Sequence, residues 1–278
     1  MSEARRQVSG KAVRRELLPN QSVELLKLLH LVTRDGQLNA DARRKLKQVN
    51  HFAGLLAPAL DDVFARFSEP VVVDVGSGNA YLGFILYELF FKDRDAGELW
   101  NVEPRPELTG KAAERAGAMG YGRMRFATGR IAQAEVPERV HLLTALHACD
   151  TATDDAIVVA VRRKADHVAL VPCCQAEVAQ QLKGVRAQVQ PAVEALFTHA
   201  WHRREFGSHL TNVVRALLLE SFGYQVTVTE LAGWEHSLKN ELILARKVHR
   251  ESRDAKAKLD ALLSATGVRP KAVRELYG

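Results

Sequence analysis

The chain has 278 residues, 47% of them hydrophobic, three cysteines and a net charge of +6. That is ample for a buried globular core, and three cysteines exclude a disulfide framework, leaving thiols or ligands. The longest lipophilic run, AYLGFILYELFF, is interrupted by Glu88, and the start, MSEARRQVSGKAVRRELLP, has no apolar segment behind its charges. Neither a membrane span nor a secretory leader is expected, so the sequence reads as cytoplasmic.

From Gln21 to Leu60 apolar residues recur at helical spacing, with a break near Asp35-Gly36 and a restart at Asn39 or Asp41. Residues 1–60 thus form a helical, basic module, with eleven Lys/Arg against five Asp/Glu in residues 1–50. After Pro70 short apolar runs alternate with amphipathic stretches. VVVDVG precedes a helix over Tyr81 to Phe91, and LWNVEP precedes one over Glu107 to Met119. MRFATG and VHLLTALHA follow, then a helix over Thr153 to Arg163, HVALVPCC, and a single long helical pattern running to Phe222. QVTVTEL and ELILARKV read as a C-terminal antiparallel pair. The alternation predicts an α/β domain over residues 61–248, a mainly parallel sheet covered by helices on both faces. Residues 249–278 form a charged helical extension, and residues 246–278 carry nine Lys/Arg against four Asp/Glu. Two basic ends around a mildly acidic centre predict an RNA partner, although blocks of this kind also occur on solvated helices.

The most specific local pattern is VVVDVGSGNAYLGFILYE, in which a buried strand ends at Asp74 and a Gly76-Ser77-Gly78 turn leads straight into a helix. A dinucleotide fingerprint needs a third glycine where Tyr81 stands. The D-x-G-x-G form, followed by an acidic residue ending the next strand, resembles the class I S-adenosylmethionine methyltransferases, whose fold is Rossmann-like. That resemblance implies S-adenosylmethionine as cofactor. It places the methionine part at Asp74, Gly76, Ser77 and Gly78, and both ribose hydroxyls on Glu103, whose carboxylate offers two acceptors. Thr128-Gly129-Arg130-Ile131 has no acidic or amide residue for the adenine amino group, so adenine rests on backbone near Arg130 or on packing against Ile131.

In such sheets ligands bind beyond the carboxyl ends of the strands, where LHACD and VPCC bring His147, Cys149, Asp150, Cys173 and Cys174. No Asn/Asp-Pro-Pro-Tyr/Phe sequence follows the fourth strand, which disfavours ordinary base amino-methylation. LHACDTATDDAI, VPCCQAE, KLKQVNHF and HSLKNELILARK together resemble a methyltransferase-domain group. It includes the eukaryotic CHHC-zinc-finger tRNA 2′-O-methyltransferases and the glutathione-S-transferase C-terminal-domain-containing proteins. The resemblance spans roughly residues 44 to 247. His147, Cys149, Ala152, Thr153 and Asp154 match a motif of the tRNA enzymes in which Asp150 replaces a glycine, and no cysteines are left to build their zinc finger.

Several chemistries fit the cluster. A zinc site from His147, Cys149, Cys173 and Cys174 has suitable ligand types, yet neighbours in an extended segment point to opposite sides, so no metal is expected. A covalent cysteine attacking a pyrimidine is a second reading, and plain packing of Cys173 and Cys174 a third. The favoured reading is a shaped floor beneath the cofactor on which His147 or Asp150 orients or deprotonates a hydroxyl or amine. One of the paired cysteines then faces the cofactor pocket and the other the sheet interior. Asp154, three residues after Thr151, fits a helix-start cap. Lys239 and Asn240 either reach substrate or form a turn. Trp201, beside His202, Arg203 and Arg204, either stacks on a base or, as the sequence favours, packs in the core. The expected activity is methyl transfer to RNA, with a protein or small-molecule substrate, or non-catalytic RNA binding, as alternatives.

Overall fold

The structure is a computed structural model that describes residues 17–33, 37–146, 148–185, 189–231 and 241–278. His147, Lys239 and Asn240 lie outside the described residues, as do residues 1–16 with five of the N-terminal cations.

Among the described residues seven strands build one sheet: β1 (Val71–Val75), β2 (Glu98–Glu103), β3 (Met124–Thr128), β4 (Leu142–Ala145), β5 (His167–Leu170), β6 (Tyr224–Glu230) and β7 (Glu241–Lys247). Their order is β3-β2-β1-β4-β5-β7-β6. The first five strands pair in parallel, and β7 runs antiparallel between β5 and β6. β4 and β5 are buried along their whole length and β1 nearly so. Strands covered on both faces have no polar face to present, which is why they read as continuous apolar runs. The strand order reverses between β1 and β4, so a crevice opens above their carboxyl ends.

One face of the sheet carries α1 (Val23–Leu28), α2 (Ala40–Arg66), α3 (Tyr81–Leu86) and α4 (Pro106–Ala118). Ser22 caps α1 by accepting from the Leu25 amide, and Asn39 caps α2 by accepting from Ala42. Leu46, Val49, Ala53, Leu56, Leu60 and Val63 form the buried stripe of α2. The helix runs unbroken across residues 60 and 61, so the expected edge of the N-terminal module falls inside it. Ser22 also donates from both its amide and its hydroxyl to buried Glu88, which ties α1 to the π-helical turn Tyr87–Phe91 that continues α3.

The other face carries α5 (Thr151–Arg162), α6 (Glu177–Val185), α7 (Pro191–Ala195), α8 (Ala200–Ser221), α9 (Arg253–Thr266) and α10 (Lys271–Tyr277). The single long helix expected before Phe222 is three. Pro191 starts α7, having no amide to continue an earlier helix, and extended His199 precedes α8. The C-terminal extension packs onto the sheet domain through Arg274 to Glu177 (2.8 Å) and Ser221 to Tyr277 (2.8 Å). Its cations are largely paired: Lys256 with Asp260, Lys258 with Asp254, and Lys271 with Asp155.

Candidate active site

The turn after β1 needs its glycines. Gly76 and Gly78 have φ of +66° and +56°, left-handed values that side chains resist, and Gly76 sits against Ala148 of the β4–α5 loop. Ser77 donates its amide to the Val102 carbonyl (3.0 Å), which fixes the turn against β2. Gly78 donates to Glu103 Oε2 (2.9 Å), and Arg105 donates to Glu103 Oε1 through Nε (2.5 Å). Buried Glu103 therefore aims its carboxylate across the turn, with mostly exposed Arg105 lying over it.

A cleft of about 580 Å³ opens beside this carboxylate, lined by Gly76, Glu103, Arg130, Ile131, Ala148 and Cys149 among others. Five of the expected site residues thus share one cavity wall. Asp74 is not on that wall. It is fully buried behind the turn, where Thr144 Oγ1 donates to its Oδ1 (3.0 Å), and burial raises its pKa from the usual carboxylate value to about 7.

The loops after β4 and β5 meet at the cysteines. Cys149 Sγ lies 3.0 Å from Cys173 Sγ, and Cys173 Sγ lies 3.9 Å from Cys174 Sγ. All three sulfurs lie within 4.8 Å of one another. Cys149 and Cys174 are exposed and Cys173 is half-buried, so the expectation that one of the paired cysteines faces the sheet interior is corrected. The chain leaves β5 after Leu170, before Pro172, and is no longer an alternating strand, so the two neighbouring thiols need not point to opposite sides. Burial and the neighbouring sulfurs push the Cys149 thiol pKa upward, and burial does the same for Cys173.

Asp150 holds the two loops together. Its amide donates to the Cys174 carbonyl (2.7 Å), and its Oδ1 accepts from the amides of Ala176 (2.8 Å) and Glu177 (3.1 Å) at the start of α6. Through Oδ1 the carboxylate caps the start of α6, a structural task that the sequence did not suggest. Its φ of +48° explains why the resembling motif has glycine here.

Arg215 was not legible as a site residue. Buried in α8, it donates to the Asp150 carbonyl (2.7 Å) and to Asp154 Oδ2 (2.5 Å). Asp154 is correspondingly not the cap expected from Thr151. Burial raises its pKa in spite of Arg215. The only sequence signal for this pair is an arginine amid an apolar helix, 61 residues from its partner.

Trp201 is 64% exposed, which corrects the expectation that it packs in the core, and the Arg204 guanidinium lies 4.2 Å from its ring centroid. Ser208 and Asn212 follow on the same helix face at i+7 and i+11, and their side chains hydrogen-bond Gln175, the residue after the paired cysteines.

Residues 44–181 match the model of a family described as a methyltransferase domain. This segment is a methyltransferase domain. It holds the glycine turn, Glu103, Arg130, Ile131 and all three cysteines. An SAH-bound methyltransferase of Podospora anserina has the same fold, with 13% identity over 86% of this chain and 93% of that one and a TM-score of 0.50. The sheet order and the antiparallel β7 are those of class I methyltransferases. Magnesium protoporphyrin IX methyltransferase of Synechocystis with bound SAH also matches, at 13% identity over 86% and 100% of the two chains and a TM-score of 0.46. So does an rRNA methylase of Streptococcus thermophilus, at 13% identity over 70% and 95% with a TM-score of 0.45. No sequence relative was found among curated proteins. Among the described residues no helix is long and apolar enough to cross a membrane.

Proposed function

We propose that the protein transfers a methyl group from S-adenosylmethionine to RNA. The observation that carries the cofactor is the buried Glu103 carboxylate beside a glycine turn, opening on the cleft at the switch point of the sheet. Glu103 presents acceptors to the ribose hydroxyls, Gly76 and Gly78 leave room for the methionine part, and Ile131 offers the adenine an apolar wall. The cofactor supplies an electrophilic methyl group. The chain supplies placement: Gly76 of the glycine turn, packed against Ala148, and Cys149 line one cleft and shape the approach of the nucleophile. The proton-accepting role expected of His147 belongs to a residue outside the described part of the chain.

Two features support RNA as acceptor. Exposed Trp201 with Arg204 forms a platform suited to base stacking. It sits on α8, about 10 Å along the helix from Ser208 at 1.5 Å per residue, and Ser208 holds the paired-cysteine loop. The resemblance to the tRNA 2′-O-methyltransferases, carried by Cys149, Thr153 and Asp154, supports methyl transfer and not the tRNA substrate, since the zinc finger of those enzymes has no counterpart here. Because the C-terminal cations are largely paired, the Trp201 face is better fitted than the basic C-terminal end to grip a nucleic acid.

Calorimetric titration with S-adenosylmethionine tests the cofactor. Glu103→Ala removes a charge-assisted acceptor worth about 1.5–3 kcal/mol, roughly 10- to 150-fold in affinity, and Gly78→Arg fills the turn. Undiminished binding in both variants refutes the cofactor assignment. Labelled methyl transfer into RNA from a strain lacking the protein tests the acceptor. Trp201→Ala is expected to weaken RNA binding by about 1–3 kcal/mol, the range for one stacked base. Label that enters only protein or small molecules refutes the RNA reading.

A further inference from the structure

The three cysteines of this chain are all the cysteines it has, and they come from two loops 24 residues apart. Core filling accounts for them poorly, because buried cysteines behave as small apolar groups and Cys149 and Cys174 are exposed. One disulfide joins two sulfurs, whereas here a third stands within the same 4.8 Å. A single cation accounts for all three.

We propose that Cys149, Cys173 and Cys174 form a three-thiolate binding site for zinc at the edge of the cofactor cleft. A tetrahedral zinc ion with sulfur bonds of about 2.3 Å separates its sulfurs by about 3.8 Å. The Cys149–Cys173 and Cys173–Cys174 separations, 3.0 and 3.9 Å, and the 4.8 Å limit on all pairs bracket that value.

The frame behind the sulfurs is built. The Asp150 amide bonds the Cys174 carbonyl, so the two ligand-bearing loops are joined directly. The Asp150 carboxylate anchors the start of α6, and buried Gln175 accepts from Ser208 (2.5 Å) and donates to Asn212 (3.3 Å). Such outer contacts set the orientation of metal ligands. Soft thiolates select zinc over hard cations, and three protein ligands leave a fourth position open, as in catalytic rather than structural zinc sites. Cys149 also lines the cleft, so an ion held here adjoins the space assigned to the cofactor. The site stands on its own geometry and does not depend on the methyl-transfer reading.

The test uses the full chain, reduced with a phosphine and dialysed against zinc, with metal counted by mass spectrometry and affinity set by competition with a chelating dye. One zinc per chain is expected. Each of Cys149→Ser, Cys173→Ser and Cys174→Ser is expected to weaken binding by more than the roughly 10- to 100-fold that outer-shell changes cost, and the triple variant is expected to bind none. Cobalt in place of zinc is expected to show thiolate-to-metal charge-transfer absorption. Circular dichroism checks that the variants fold. Should they fail to fold, maleimide labelling of the wild type answers instead: zinc is expected to protect all three thiols and a chelator to expose them. Substoichiometric zinc on fully reduced protein, undiminished zinc in the folded triple variant, or thiols that label equally with and without zinc would each overturn the site. So would a Cys149–Cys173 disulfide that forms with zinc present.

Discussion

Asp74 offers a measurement that isolates one buried carboxyl. Its pKa is about 7 in the folded chain against the ordinary carboxylate value of 3.8 because burial penalises the charged form, with only the Thr144 hydroxyl to favour ionisation. The unfolded carboxyl loses its proton first, so between the two values the folded state holds one proton more. The stabilisation is complete below the unfolded value and is lost as pH rises through the folded one. At 1.36 kcal/mol per pH unit the full difference is about 4 kcal/mol, of which about 2–3 kcal/mol falls between about pH 5 and about pH 8. Asp74→Asn keeps the size and an acceptor for Thr144 but does not titrate. Urea unfolding of both proteins across that range is expected to show the wild type losing stability relative to the variant, with the difference opening toward high pH. Taking the difference cancels every other titrating group. Parallel curves for the two proteins would refute the burial argument, as would a gap that opened on acidification.

Two further substitutions probe the packing behind the cleft. A Cβ added at Gly83 would stand 2.0 Å from Oδ1 of fully buried Asn101, so Gly83→Ala is expected to cost about 1–3 kcal/mol by denaturant unfolding. In an Asn101→Ala background most of that cost should vanish, and a penalty independent of Asn101 would show the contact to be irrelevant. Arg215→Met leaves Asp154 buried without its cation and is expected to cost about 3–5 kcal/mol, recovered in part by adding Asp154→Leu. A loss within about 0.5 kcal/mol, the range of ordinary surface changes, would mean that the pair contributes little.

What the sequence disclosed and what it hid divides by the range of the interaction. The glycine turn and Glu103 were legible because each is fixed by its own strand end. A buried strand, a left-handed glycine and a helix start follow one another within a dozen residues, and the next strand lies beside the first. Pairs that depend on the assembled fold were not. Trp201 could be assigned to core or surface only once the faces of α8 were known, and one face is held by Gln175 of a distant loop. The Arg215–Asp154 pair spans 61 residues, beyond any periodicity.

Asp150 shows how a residue on the right loop can carry a structural task that its position does not announce. Its position after β4 suggests chemistry, and a carboxylate there reads naturally as a base. Yet the group it serves, the start of α6, comes 26 residues later, and no local spacing announces it. The aspartate also adopts a conformation suited to glycine, which costs on the order of 1–3 kcal/mol for a residue with a side chain. Such a conformation persists only where surrounding contacts over-determine it. Here those contacts are the α6 cap, the bond to the Cys174 carbonyl and the clasp of Arg215 on the Asp150 carbonyl. All three act on the loops that carry the cysteines. The strain at Asp150 is thus offset by contacts that hold three sulfurs together, which makes the placement of the thiols a property of the folded frame and not of the cysteines alone.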